Sequence, residues 1–300
     1  MNKINLGIIG EGYHYKKNIK PILSNLKKVI NLKIFILKKK NKDYNYINFF
    51  DKKIDICYLA TPSKTHFNLA KICISNGVSV ISEKPLCETF LQAQKLISLA
   101  KSRNVFISEA FMYLYHPIFK YLKKLVSIKK LEILYVKSQL SIPSLNKKNN
   151  RYNFKKGGGF YNDLAIYPLS LEYHLFNSKK LLKINKLIYS KKKIPLRGYM
   201  NFKSNSFERF YFWGEGQKYQ NNLSIIFKNL SINVDNFYSK NPNKLSYIEI
   251  NGKKDKKLFF PKCNQFYEMF LELLSNFKKK EFVSKHYKNI MNLSKIKKQL

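Results

Sequence analysis

Three hundred residues, 45% of them apolar, suffice for two packed domains and leave little room for extended disorder. The formal charge of +39 comes almost wholly from lysine, with arginine only at Arg103, Arg151, Arg197 and Arg209. A base-reading protein uses arginine forks and gathers its charge on one face. Here lysine runs through every segment beside abundant Asn, Ile, Tyr and Phe, as a coding bias toward A and T produces, so no specific nucleic-acid partner is expected. Cys57, Cys73, Cys87 and Cys263 show no metal-ligand spacing, which makes buried free thiols the default and predicts no metal. Met1 to Leu6 leads directly into a strand without a cleavable leader, and no apolar run approaches the roughly 18 residues of a membrane helix. No membrane association and a reducing cytoplasm are the expectation.

Ile4 to Ile9 reads as an apolar strand, followed at once by Gly10-Glu11-Gly12-Tyr13-His14-Tyr15 and a helical pattern through Ile19, Ile22, Leu23 and Leu26. Strand, glycine turn and helix form the setting in which a pyrophosphate is cradled, which makes Gly10, Gly12, Tyr13 and His14 candidate cofactor-binding residues. Two glycines also occur in a plain structural turn. Tyr15 stands where a third small residue usually lets helix press on strand, so either the helix start is displaced or the ring points outward. A second strand, Leu32 to Leu37, ends in Lys38-Lys39-Lys40 where an NAD-binding domain places an acid for the ribose 2′-hydroxyl. A cation at Lys38 attracts a 2′-phosphate instead and tilts the cofactor toward NADP(H) over NAD(H).

Asp55 to Ala60 is the next strand, ending in Thr61-Pro62-Ser63-Lys64-Thr65-His66, and a helix from Phe67 to Asn76 closes on Gly77. Val78, Val80 and Ile81 form a short buried strand stopped by Glu83-Lys84-Pro85. Ligands of open α/β sheets bind beyond the carboxyl ends of the strands, so a lysine there is placed for chemistry. The plainer reading is a solvated Glu-Lys pair. A helix from Leu91 to Ser102 and a strand from Val105 to Ser108, ending at Glu109, continue the alternation. Residues 1–120 are thus read as an α/β Rossmann domain, a doubly wound parallel sheet that binds a dinucleotide.

Tyr113 to Val126 has helical period, and Leu131 to Ile142 alternates as a long strand. After Lys155-Lys156-Gly157-Gly158-Gly159 comes a helix bearing Asp163 and Tyr167, which lie four apart and share one face. The helix dipole favours the carboxylate, and the phenol can share its hydrogen bonds; equally, Asp163 can be a cap and Tyr167 a core aromatic. Strands are predicted at Leu182 to Ser190, Phe207 to Trp213, Leu223 to Phe227, Leu230 to Phe237 and Tyr247 to Ile250, then helices at Phe266 to Phe277 and Tyr287 to Ile296. Residues 121–300 are read as an α+β domain with a large, mostly antiparallel, open-faced sheet. Phe210, Phe212, Ile225 and Phe227 belong either to its core or to a subunit contact.

The strings Asp55-Ile-Cys-Tyr-Leu-Ala-Thr-Pro-Ser-Lys-Thr-His66, Glu83-Lys84-Pro85 and Glu109-Ala-Phe-Met-Tyr-Leu-Tyr-His-Pro117 resemble the glucose-fructose oxidoreductase, inositol dehydrogenase and rhizopine-catabolism family of NAD(P)-dependent oxidoreductases. The resemblance implies that Lys84 is catalytic beside the nicotinamide, that Lys84-Pro85 is cis, and that Thr61, Pro62, His66 and Glu83 lie along the cofactor. It also implies a second signature, Asp163 followed by Tyr167, whose Tyr-Pro-Leu continuation is most similar to the nucleotide-linked keto-sugar 3-reductases, with the tyrosine as general acid. Tyr15 and Leu114 depart from the family pattern.

Together these readings predict hydride transfer between nicotinamide and a carbonyl or secondary alcohol of a sugar-like substrate. Tyr167 is the expected proton donor, Lys84 its electrostatic partner and Asp163 an orienting carboxylate. A tyrosine holds its proton to near pH 10, and a neighbouring lysine cation favours the phenolate. A homodimer or homotetramer through the C-terminal sheet is the implied assembly. The rivals are a dehydrogenase of a free polyol, sugar or dihydrodiol, and a non-catalytic dinucleotide sensor or scaffold.

Overall fold

The structure, a computed structural model, describes residues 3–37, 39–40, 43–44, 46–128, 132–153, 159–177, 183–189, 194–203 and 207–298. Lys38, Gly157 and Gly158 lie outside these residues. The chain divides into two compact units, residues 1–110 with 266–294, and residues 111–265 with 295–300.

In the first unit, β1 (Ile4–Ile9), β2 (Leu32–Leu37), β5 (Ile56–Leu59), β6 (Ser79–Ser82) and β7 (Ile107–Glu109) form a parallel sheet in the order β2-β1-β5-β6-β7. Strands β5 and β6 are buried at every position, the pattern of a sheet covered on both faces, which is why they read as continuous apolar runs. Two short strands, β3 (Lys39–Lys40) and β4 (Asp43–Tyr44), pair with each other, and α1 (Leu23–Val29), α2 (Tyr46–Phe50), α3 (His66–Ser75) and α4 (Phe90–Ser102) complete the alternation. Helix α4 opens with a capping box, Thr89 accepting from the Gln92 amide while Gln92 accepts from Thr89 N–H, which fixes its start.

The expected division near residue 120 is corrected at both ends. Helices α7 (Gln265–Asn276) and α8 (Lys280–Lys298) return to the first unit, because their apolar faces pack there: Phe270 meets Tyr58 at 4.9 Å between ring centroids, and Phe282 stacks on Phe106. Helix α8 also begins at Lys280, seven residues before the expected Tyr287. The helix expected from Tyr113 is a 3₁₀ turn, Met112–Tyr115, and a separate helix α5, Pro117–Val126. Proline favours a first helical turn and His116, extended before it, accepts from Ile118 N–H as a cap.

The second unit holds β8 (Ile133–Ile142), β9 (Lys183–Tyr189), β10 (Pro195–Lys203), β11 (Glu208–Glu215), β12 (Gln220–Phe227), β13 (Ser231–Asp235), β14 (Ser246–Asn251) and β15 (Lys256–Phe260), with α6 (Ile166–Phe176). Their order is β15-β14-β13-β12-β8-β11-β10-β9, antiparallel except where β8 and β11 run parallel. Strands β10 and β15 were not anticipated, β10 because Gly198 and Pro195 break its apolar pattern. Alternation assigns the faces: Leu223, Ile225 and Phe227 are buried, as are Tyr211 and Trp213, whereas Phe212 is 37% exposed and Phe210 partly so. The four residues read as one group therefore split, Ile225 and Phe227 into the core and Phe210 and Phe212 onto the open face. All four cysteines are free and buried. Among the described residues no helix is long and apolar enough to cross a membrane, and no cluster of metal-ligating side chains occurs.

Candidate functional site

The glycine turn begins where β1 ends. Gly10 has φ of +105°, and a Cβ there would meet the Ala60 carbonyl group at 2.8 Å, so only glycine fits. Around Gly12 nothing lies within 4 Å of such a Cβ, which leaves the backbone approachable from outside. The chain then enters a π-helical turn, Tyr15–Ile19, before α1. Tyr15 is buried at 3% exposure. Neither expected outcome is realised: the helix opens directly after the turn, Lys16 N–H donating to the Gly12 carbonyl at 3.1 Å, and widens to π-helical form around the buried Tyr15, while Tyr13, at 76%, is the ring that faces out. An open Gly12, a Gly10 fixed by close approach and an outward Tyr13 fit a dinucleotide's pyrophosphate and ribose.

His14 is turned inward rather than toward solvent. Its Nδ1 accepts from the Asn18 amide at 3.1 Å, which places the proton on Nε2, 2.9 Å from the Tyr58 hydroxyl and 3.0 Å from Glu83 Oε1. Tyr58 donates to the same Glu83 oxygen at 2.6 Å. Burial raises the Glu83 pKa, but His14, the Tyr58 hydroxyl and Lys84 together outweigh it and hold the carboxyl below its usual range.

Glu83 and Lys84 leave the end of β6, and the Lys84-Pro85 peptide is cis, as the motif implied. The residues on each side of Lys84 are anchored. Glu83 is held as above, the Pro85 carbonyl lies 2.9 Å from His66 Nδ1, Leu86 N–H donates to Glu109 Oε1 at 2.8 Å, and Glu88 pairs with Lys64 at 2.7 Å. His66 Nε2 lies 2.8 Å from the Thr61 carbonyl, so one buried ring touches both the Thr61-Pro62 turn and the lysine loop. That turn is closed by Thr65, whose hydroxyl donates to the Pro62 carbonyl.

In the second unit, a π-helical turn, Tyr161–Ala165, leads into α6. Pro168 has no N–H to give to the carbonyl four residues back, which accounts for the irregular entry. Asp163 receives the guanidinium of Arg151 at 2.5 Å. Tyr167 is partly buried; its hydroxyl points to Met112 Sδ at 3.8 Å, and its ring lies among Tyr238, Tyr113 and Phe111. Tyr113 bonds Ser170 at 2.7 Å; burial, with Tyr238 and Tyr167 beside it, pushes its phenol well above the usual range and keeps it neutral. Beneath the helix, buried Glu172 pairs with Arg209 at 2.9 Å and accepts from Tyr211 at 2.7 Å, fixing α6 to β11.

Residues 4–111 match the family model described as oxidoreductase family, NAD-binding Rossmann fold, the glucose-fructose oxidoreductase, inositol dehydrogenase and rhizopine-catabolism group. The likeness to that oxidoreductase family covers this N-terminal stretch, a little over a third of the chain. A relative in Xenopus tropicalis, a trans-1,2-dihydrobenzene-1,2-diol dehydrogenase, is 27% identical over 131 residues, 43% of this chain and 39% of that protein. The dTDP-3,4-didehydro-2,6-dideoxy-alpha-D-glucose 3-reductase of Streptomyces antibioticus is 31% identical over 122 residues, 40% of this chain and 37% of its own length. The chain thus spans about two fifths of the length of these curated relatives. Its fold is shared with a 3-ketoreductase from Actinomadura kijaniata, solved with NADP and TDP-benzene, at a TM-score of 0.81 and 17% identity over 98% of this chain and 95% of that one.

Several site residues escaped the sequence reading. Tyr58 was hidden in an apolar strand, and Asn18 in a helix. Arg151 left a faint signal: in a chain that uses lysine almost everywhere, two of the four arginines, Arg151 and Arg209, sit against carboxylates. A polar groove of about 500 Å³ on the open sheet face, lined by Lys137, Gln139, Asn222 and Asp235 among others, contains none of the expected site residues.

Proposed function

We propose that the chain is an NAD(P)-dependent oxidoreductase that reduces the ketone of a sugar derivative, with a nucleotide-linked keto-sugar as its substrate class. The observation that carries the reading is Lys84, a lysine at a parallel-strand exit whose neighbouring residues are anchored on both sides, beside a carboxylate and next to a glycine turn open at Gly12. Gly10, Gly12, Tyr13, Thr61 and Pro62 hold the dinucleotide, with His14, His66 and Glu83 shaping the turn from behind. NADP(H) is favoured over NAD(H) by the lysines after β2, Lys38 among them, and by the NADP of the Actinomadura ketoreductase. Bound there, the nicotinamide supplies the hydride.

The chain's own residues manage charge and the proton. The Lys84 ammonium stabilises negative charge as it develops on the ketone oxygen, and Tyr167 donates its proton to that oxygen. Asp163, oriented by Arg151, binds substrate hydroxyls. The aromatics of the open sheet face, exposed Phe212 with partly buried Tyr199 at 5.8 Å, support association into a homodimer or homotetramer. Four reduced, buried thiols are in keeping with a cytoplasmic setting.

NADPH oxidation with a dTDP-linked 3-keto-deoxysugar tests the reading, and turnover is expected. A second reading, oxidation of a dihydrodiol or free sugar, is favoured by the Xenopus relative; turnover of those compounds alone with NADP⁺ selects it. Tight NADPH binding without turnover of any carbonyl selects the non-catalytic sensor, to which the catalytic names of the relatives lend no support.

A further inference from the structure

His66 sits with both ring nitrogens against carbonyl oxygens, Nδ1 2.9 Å from Pro85 and Nε2 2.8 Å from Thr61, and the residue is 1% exposed. A carbonyl oxygen only accepts. A neutral imidazole carries one N–H, so it satisfies one of these oxygens and turns a nitrogen lone pair toward the other. The imidazolium carries two and satisfies both. The arrangement is therefore that of a protonated ring joining two loops.

We propose that His66 is a proton-controlled clamp: protonated, it ties the Thr61-Pro62 turn to the Lys84-Pro85 loop and positions Lys84, and neutral, it releases one of the two. It is a positioning residue that acts through those loops and rests on the cofactor reading of this unit. The charged groups around it are few. Glu83 favours the proton and Lys84 opposes it. Lys64 and Glu88, paired at 2.7 Å, neutralise each other while tying the same two segments further out. Burial is the largest influence and lowers the His66 pKa below the ordinary histidine value, with the two carbonyls and Glu83 pushing back. In the free protein the clamp thus opens on approach to neutrality. A cofactor that needs both segments in place must raise that pKa and take up a proton on binding.

The test is nitrogen NMR of the imidazole in the full chain from pH 5 to 8, free and with NADPH, together with NADPH and NADH affinities over the same range. NADH separates the titration of the 2′-phosphate from that of the ring. We expect both His66 nitrogens to carry protons in the complex at a pH where the free ring is neutral. Affinity for both dinucleotides should rise as pH falls, by at most tenfold per unit. His66→Gln, whose amide presents its NH₂ to one side and an acceptor oxygen to the other, should bind without that slope. A single neutral tautomer in both states, or the same slope in His66→Gln, overturns the clamp. If neither dinucleotide binds, the cofactor reading falls, and the free protein decides: two hydrogen-bonded N–H groups on protonation support the clamp, and loss of either carbonyl contact on protonation sinks it.

Discussion

Lys84 and Tyr167 are held by opposite means. The lysine leaves a strand end on a loop tied at its neighbours by separate hydrogen bonds, to His14 and Tyr58, to His66, and to Glu109. The tyrosine rides a helix anchored from beneath by a buried ion pair and the phenol of Tyr211. Hydrogen bonds between loops contribute about 1 kcal/mol each and are lost singly, whereas breaking one partner of a buried ion pair leaves an uncompensated charge. A site on loops is adjustable piece by piece; one on a girdered helix is kept or lost as a unit.

Glu172→Gln is the harshest test of that contrast. It leaves Arg209 buried at 4% exposure without its charge partner, and a loss of about 3–5 kcal/mol is expected by chemical denaturation. Hydrogen-exchange protection should fall in α6 and β11 and not in α3; equal loss in both breaks the comparison.

Acid comes next and strikes both units. Burial lowers His286, which sits 2.9 Å from Ser108 in the first unit, to about 3. His116, in the second, is lowered to about 4 by burial and then by Lys240. Because the folded values lie below the unfolded one near 6.5, the unfolded chain binds more protons, so stability is full above pH 6.5 and falls as pH drops toward those values. At pH 4.5 the loss is about 3 kcal/mol or less for each histidine. Denaturation midpoints at pH 7 and 4.5 check it, and His286→Gln should flatten the slope.

Smaller still are two glycine substitutions within one turn. Gly10→Ala forces a Cβ at positive φ against Ala60 and should cost about 1–3 kcal/mol. Gly12→Ala meets open space and should leave stability within about 0.5 kcal/mol while weakening NADPH binding. Unchanged NADPH affinity in Gly12→Ala would remove the glycine turn from the cofactor site.

The parallel sheet was legible because its inner strands β5 and β6 are buried on both faces, and because β1 stops at a glycine and β6 runs into a proline-locked turn. Glu83, Lys84 and Pro85 were legible for the same reason. Less could be read where two periods compete: Phe210 and Phe212 look as apolar as Tyr211 and Trp213, and only strand phase tells which pair faces inward. The return of α7 and α8 to the first unit left no local trace, since an amphipathic helix shows which face it buries and not what it is buried against. His14 and His66 were read as cofactor-binding residues, and their ring nitrogens go to protein groups, a distinction that no spacing reveals.

Tyr167→Phe tests the central assignment most directly, with turnover and NADPH affinity measured on the same preparation. Loss of the general acid should lower turnover by about 10² to 10⁴-fold while NADPH affinity stays unchanged. Full turnover in Tyr167→Phe would contradict the account, because the proton would then come from another group.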